Sequence, residues 1–262
     1  MTIITIANQK GGVGKTTTAI NLATAIAAIR KRVLLIDMDP QGNASTGLGI
    51  LPNMRKRGSY QFISGQAALD EVTIETSVPN LFLLPATQDL AAAEVELPHV
   101  DRGLFILRDR LKDHPYDFII FDCPPSLGFL TLNSLIASSS ILIPLQAEFF
   151  ALEGLAQLMK TFRRVKSNYN QSLDILGIFL TMYDKRNSLA QQIESEVTSY
   201  FPEQLFAAKI PRSTRVSEAP SHGLPVMVYD VKSAGSLAYI QLAKEILGRL
   251  AKGNNHDNPQ AA

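Results

Sequence analysis

Apolar positions along this chain fall into two kinds of run, and their alternation predicts the fold. Short unbroken runs occur at Ile3-Ile4-Thr5-Ile6-Ala7, Val33-Leu34-Leu35-Ile36, Leu81-Phe82-Leu83-Leu84, Phe118-Ile119-Ile120-Phe121 and Ile141-Leu142-Ile143-Pro144-Leu145. Their length and β-branched content suit strands buried on both faces of a parallel sheet. Leu173 to Leu180 reads as one more. Between them lie segments long enough for helices: Thr18 to Ala28, Ala91 to Leu97, Leu104 to Leu111, Glu148 to Ser167, Ser188 to Tyr200 and Ser233 to Ala251. A short helix fits Gln61 to Leu69. Leu155, Leu158, Phe162 and Val165 recur at helical spacing and read as a core face. So do Leu237, Ile240, Leu242, Ala243, Ile246 and Leu250 in the last helix. Alternating strands and helices predict an α/β layered fold, a mainly parallel sheet with helices on both faces. Residues 1–252 are expected to form a single domain, and the polar stretch 253–262 a disordered tail.

The first strand runs into Asn8-Gln9-Lys10-Gly11-Gly12-Val13-Gly14-Lys15-Thr16-Thr17, and a helix follows. Strand, glycine-rich loop and helix together make a phosphate-binding loop. Three glycines let backbone N–H groups converge on an anion with no Cβ in the way. The helix N-terminus adds its partial positive charge. Lys15 is placed to reach terminal phosphates and the Thr16 hydroxyl to ligate Mg²⁺. The general pattern G-x-x-x-x-G-K-[ST] is met incompletely, because Gln9 stands at its first glycine. A second lysine, Lys10, stands within the loop.

Two acidic strand ends gain meaning from that loop. Asp37-Met38-Asp39-Pro40-Gln41-Gly42-Asn43-Ala44-Ser45 would alone read as a polar turn; behind a phosphate loop it reads as a switch segment. Asp122 ends an apolar strand, the arrangement of an acid facing Mg²⁺ through water. Pro124-Pro125 then stops the ladder. Arg55-Lys56-Arg57 reads as a solvated charged loop.

Lys-Gly-Gly-Val-Gly-Lys-Thr-Thr resembles the deviant Walker A loop of the ParA/MinD class of P-loop NTPase-like ATPases. The resemblance extends over Ile3 to about Leu250, and is most specific at residues 8–17, 37–47, 122–126 and 210–223. It implies ATP and Mg²⁺ as cofactors. Backbone and side chains of Lys10, Gly11, Gly12, Val13, Gly14, Lys15, Thr16 and Thr17 would bind the phosphates. Lys15 would act in cis, and Lys10 would reach a partner's nucleotide in a homodimer closed by ATP. Asp39 would position the attacking water and sense the metal held by Thr16 and Asp122, while Asp37 supports the loop. Pro211 would contact adenine from one side and Met182 from the other. Arg186, Arg212, Arg215 and Lys232, with Lys185, would contribute to non-specific binding of double-stranded DNA. The acidic stripe of Glu94 and Glu96 falls where the class carries dimer and partner contacts. Members of the class often have glycine where Arg30 stands, so the first helix is expected to end in a different turn, without a left-handed glycine.

Composition narrows the choice within the class. The 262 residues are 46% hydrophobic, enough for one large α/β domain. No apolar run reaches the roughly 18 to 20 residues of a membrane-spanning helix. The chain opens in a strand, so neither a signal peptide nor an N-terminal helix-turn-helix extension is expected. A single cysteine, Cys123, excludes an internal disulfide framework, suits a reducing cytosol and argues against iron–sulfur relatives. Cys123 reads as a small buried hydrophobe. With a net charge of +1, any DNA contact must come from a local patch. The C-terminal stretch lacks the basic amphipathic anchor of the MinD branch.

The resemblance therefore implies a ParA/Soj-type partitioning ATPase, cytoplasmic and associated with the nucleoid. A ParB-type partner is expected to stimulate slow hydrolysis. A MinD-like membrane-positioning ATPase is the alternative. A metabolic relative such as an amidoligase is a third.

Overall fold

The computed structural model describes residues 2–256. One sheet holds β1 (Thr2–Ile6), β2 (Val33–Asp37), β3 (Ile74–Glu75), β4 (Leu81–Leu84), β5 (Phe118–Asp122), β6 (Ser140–Gln146) and β7 (Asp174–Thr181). Its spatial order is β3-β4-β2-β5-β1-β6-β7. Every pairing is parallel except the β3–β4 edge. The unbroken apolar runs thus became the six parallel strands. β3 is only two residues long, too short to leave a pattern.

Side-chain alternation along each strand feeds two cores. Leu34, Ile36, Ile119 and Phe121 face one of them, together with α7 (Phe129–Ala137), α8 (Ala151–Asn168) and α9 (Ser188–Tyr200). Val33, Leu35, Phe118 and Ile120 face the other, with α1 (Lys15–Ala28) and α12 (Ala234–His256). Helices therefore cover both faces. Shorter helices fill the connections: α2 (Asn43–Gly47), α3 (Ser59–Ile63), α4 (Leu69–Val72), α5 (Ala93–Glu96), α6 (Ile106–Arg110), α10 (Thr214–Glu218) and α11 (Val226–Tyr229).

Several local expectations are corrected. α7 has no counterpart in the sequence reading. Seven of its nine residues are buried, so its sequence Phe-Leu-Thr-Leu-Asn-Ser-Leu-Ile-Ala shows no polar face to set a period. The segments at 91–97 and 104–111 hold only short helices flanked by 3₁₀ turns. Glu94 does not stand in an open acidic stripe. Its carboxylate accepts from the Phe129 and Leu130 backbone N–H groups (2.8 and 3.4 Å) and so caps α7. Glu96 accepts from the Tyr60 hydroxyl (2.6 Å). In α12 the core position belongs to Tyr239, 2% exposed, whereas Leu237 is 56% exposed. α12 continues to His256, so the expected tail is helical over its first residues; 257–262 lie outside the described residues.

The end of α1 is the clearest case. Arg30 takes the left-handed conformation itself, with φ 63°. Its N–H donates to the Ala27 carbonyl (2.9 Å). The turn is the glycine type after all, with an arginine in it, because the chain must reverse into β2 within four residues.

Candidate nucleotide site

All six parallel strands end on the same edge of the sheet, and the polar loops gather there. β1 lies between β5 and β6, so the loop at residues 7–17 emerges at the middle of that edge. Two side chains pin it to neighbouring strands. Asn8 Nδ2 donates to the Pro144 carbonyl of β6 (2.7 Å), and Asn8 Oδ1 accepts from Lys10 N–H (3.0 Å). Thr181, at the end of β7, donates to the Val13 carbonyl (2.9 Å). Gly12 and Gly14 have φ of 76° and 87°, which L side chains rarely adopt. Gly14 then stands as the N-cap of α1.

A cavity of about 700 Å³ opens above this loop. The loop lines it with Gly11, Gly12, Gly14, Lys15, Thr16 and Thr17, and Asp39 faces them from the end of β2. Met182, Pro211 and Arg212 complete the far wall. A parallel bridge between Tyr183 and Pro211 fixes that wall, with Tyr183 N–H donating to the Ile210 carbonyl (3.0 Å). Met182 turns through φ 48°, a left-handed residue at the cavity rim. The predicted phosphate, water-positioning and base-contact residues are thereby gathered on one volume. Lys10 and Val13 do not line it; Val13 contributes its carbonyl to the Thr181 bond instead.

The two lysines point different ways. Lys15 is 6% exposed, and its Nζ donates to the Lys10 carbonyl (2.9 Å). Burial lowers its pKa, against the pull of Asp122 and Asp39. Lys10 turns outward and pairs with Glu148, beyond the end of β6. Gln146 Nε2 donates to the other oxygen of the same carboxylate.

Three acids cluster at the ends of β2 and β5. Asp37 accepts from Ser45 N–H (2.9 Å), Ser45 Oγ (2.6 Å) and Asp39 N–H (3.2 Å), which ties the strand end to α2. Burial outweighs those bonds and pushes it up to about 6. Asp39, 8% exposed, accepts from Gln41 N–H (3.0 Å). Asp122 is fully buried, and neither of its carboxylate oxygens has a hydrogen-bond partner. Burial first, then the Asp37 charge, push it well above the usual carboxylate range; Thr16 and Lys15 oppose them. A buried carboxylate without partners beside a threonine hydroxyl fits a hydrated divalent cation. Cys123 is buried and its thiol is pushed up to about 12, chiefly by burial, so it packs as an apolar residue.

The basic residues gather less clearly. Arg186 is paired to Asp184 (2.7 Å), and Arg215 to Glu218 (3.2 Å) and Asp230 (3.5 Å). Arg212 belongs to the cavity wall, and Lys232 is exposed. Arg55, expected in a solvated run, is instead half-buried against the Asp39 loop. Arg55 is a site-shaping residue that sequence reasoning missed; Asn8 and Thr181 fall in stretches it assigned to the site, but their pinning contacts were not foreseen. Their partners are backbone carbonyls and a hydroxyl up to 168 positions away, and no local pattern marks such contacts.

Comparison with known proteins agrees with this geometry. A family model described as an AAA domain matches residues 1–175. The chromosome partitioning protein ParA of Caulobacter vibrioides is 51% identical over 251 residues, covering 94% of each chain. The chromosome-partitioning ATPase Soj of Treponema pallidum is 51% identical over 245 residues, covering 92% of this chain and 95% of its own. Among solved structures, a cobyrinic acid a,c-diamide synthase from Mycobacterium smegmatis with bound ATP analog and magnesium superposes with a TM-score of 0.85. It is 33% identical and 97% of each chain is covered.

Proposed function

The chain belongs to the ParA/Soj family of chromosome-partitioning ATPases, and we propose that it works as a nucleotide-gated grip on DNA. ATP fills the cavity with its phosphates on residues 11–17 and its base against Met182 and Pro211. Thr16, with Asp122 and Asp39 through water, would hold magnesium. Magnesium held there would supply charge neutralisation to the phosphates. Lys15 holds the phosphates in cis, and Asp39 orients the attacking water. Two copies close face to face, and each lends Lys10 to the other's phosphates, the role of an arginine finger. The closed dimer doubles a weak basic surface and so binds DNA phosphates without reading sequence. A ParB-type partner speeds a slow hydrolysis and opens the grip.

The observation that carries this reading is the opposed orientation of the two loop lysines. Lys15 is inside, against the loop; Lys10 is outside the cavity lining, partly exposed and paired with Glu148. A lysine that served its own nucleotide would be expected among the cavity walls. The test is sedimentation of wild type and Lys10→Ala with a non-hydrolysable ATP analogue. Wild type should dimerise and Lys10→Ala should stay monomeric while still binding nucleotide. Equal dimerisation of both would sink the trans role.

The name of the Mycobacterium smegmatis neighbour supports a metabolic reading. Stimulation of phosphate release by DNA plus a centromere-binding partner favours partitioning. Turnover that requires a carboxylate substrate and an amino donor favours amide synthesis instead.

A further inference from the structure

Arg55 lies in the loop between α2 and α3, and its guanidinium reaches back to three separate pieces of chain. Nε and Nη2 donate to the Ile50 carbonyl (2.8 and 2.5 Å), Nη2 to Thr46 Oγ1 (2.6 Å) and Nη1 to the Ala86 carbonyl (3.3 Å). Thr46 is in α2, directly after the Asp39 turn. Ala86 follows β4. The planar fork thus spans the switch segment and the neighbouring strand end, a geometry that an ammonium cannot reproduce.

The contact with the turn itself is as close. Gly42 N–H donates to the Asp39 carbonyl (2.8 Å), and Thr46 Oγ1 donates to the Gly42 carbonyl (3.1 Å). A Cβ at Gly42 would collide with Arg55 Nη1 and come within 3.3 Å of the Ala86 carbonyl. Gly42 has φ 64°. The turn that aims Asp39 is therefore moulded on the guanidinium face. Among the described residues Arg55 forms no ion pair, and its hydrogen bonds all go to neutral acceptors, the Ile50 and Ala86 carbonyls and the Thr46 hydroxyl. Burial lowers its pKa, and the Asp37 carboxylate nearby opposes that. A half-buried cation without a carboxylate partner is an expensive way to fill space, since burying a charge is unfavourable.

We propose that Arg55 is a positioning residue for ATP hydrolysis: it fixes the Gly42–Thr46 turn and, through it, the carboxylate of Asp39. The inference rests on Asp39 serving as the water-positioning group. Arg55 does not line the cavity and acts only through the loop.

The test separates turnover from binding. Steady-state phosphate release and binding of a fluorescent ATP analogue are measured for wild type, Arg55→Ala, Arg55→Lys and Asp39→Ala, with thermal melting as a folding check. Arg55→Ala is expected to lose about tenfold or more in kcat, as removal of charge-assisted hydrogen bonds implies, with analogue affinity within about threefold of wild type. Arg55→Lys keeps the charge and the stem, so it should melt close to wild type yet show lowered kcat. Added guanidinium at low millimolar concentration should restore part of the turnover of Arg55→Ala and none of that of Asp39→Ala. Wild-type kcat in Arg55→Lys and Arg55→Ala would overturn the proposal, as would a kcat loss matched by equal loss of nucleotide affinity. If Asp39→Ala itself turned over normally, the underlying reading of Asp39 would fail, which is a different result.

Discussion

Lys10 and Glu148 are joined by an ion pair across 138 positions of sequence, and the pair stands at the rim of the nucleotide loop. A single ammonium held by its own subunit is less available to a partner's phosphates. On the trans role proposed for Lys10, Glu148 competes with the closed dimer. Glu148→Gln should lower the protein concentration needed for ATP-dependent dimerisation by a few-fold at low salt. Both side chains are substantially exposed, so the effect is modest, in the range of surface pairs. It should fade as salt rises and vanish in a Lys10→Ala background. Weaker dimerisation of Glu148→Gln, measured by sedimentation, would mean that the acid orients Lys10 rather than restrains it.

Cys123 makes a prediction about reactivity. Its thiol is buried and stays protonated to about pH 12, whereas an unfolded cysteine ionises near 9. Native protein at pH 8.5 should resist alkylation by iodoacetamide, with a rate set by opening of the fold rather than by thiolate fraction. The sign for stability follows: above about pH 9 the unfolded thiol loses its proton first, so this residue disfavours folding as pH rises. Rapid stoichiometric labelling of folded protein would contradict the packing.

What the sequence disclosed, and what it concealed, divides along a physical line. Val33 to Asp37 and Phe118 to Asp122 were legible because strands buried on both faces leave an unbroken apolar run. The loop at residues 10–17 was legible because left-handed backbone at residues 12 and 14 demands glycine. Arg55 was misread as solvated, and Glu94 as part of an open surface, because each satisfies backbone groups far away in sequence. α7 was passed over for the opposite reason: it is buried nearly all round, so it has no period to detect. Leu237 and Tyr239 exchanged places because a helical stripe a few residues wide does not say which edge meets the core.

Arg30 offers a stabilising substitution. A residue other than glycine in the left-handed region costs roughly 1–2 kcal/mol, partly offset by the larger unfolded-state entropy of glycine. Arg30→Gly should gain about 0.5–1 kcal/mol, read as a shift in urea midpoint at constant slope. Arg30→Val should lose stability at the same position. Equal midpoints for all three would mean that the turn relaxes out of φ 63°.

The proposed grip on DNA predicts an uneven response among the basic residues. Arg186 and Arg215 are already neutralised by Asp184, and by Glu218 and Asp230, whereas Lys232 forms no ion pair among the described residues. Lys232→Ala should weaken binding and reduce the slope of log affinity against log salt by about 0.9, one phosphate contact. The neutral pair replacement Asp184→Ala with Arg186→Ala should leave the slope unchanged. A lower slope for that double variant would show that Arg186 leaves its carboxylate to meet phosphate.

Gly49 and Gly223 meet backbone to backbone, and both are left-handed, with φ of 82° and 66°. Gly49 closes the loop that begins at Asp39; Gly223 ends the segment that carries Pro211, Arg212 and Arg215. A Cβ on Gly223 would stand 2.7 Å from Gly49 Cα and 3.1 Å from Gly49 N. Neither neighbour is a flexible side chain, so the two loops would have to separate. Gly223→Ala adds left-handed strain to that clash and should cost about 2–3 kcal/mol or more. The loss should appear as a lower melting temperature and as weaker nucleotide binding together, because the displaced segments form two walls of one cavity. Gly154→Ala is the control: its added Cβ meets nothing within 4 Å, and it lies inside α8, where alanine is favoured. If Gly223→Ala melts with wild type, the close approach of the two loops does not persist in solution, and the mechanical link between the Asp39 loop and the basic segment goes with it.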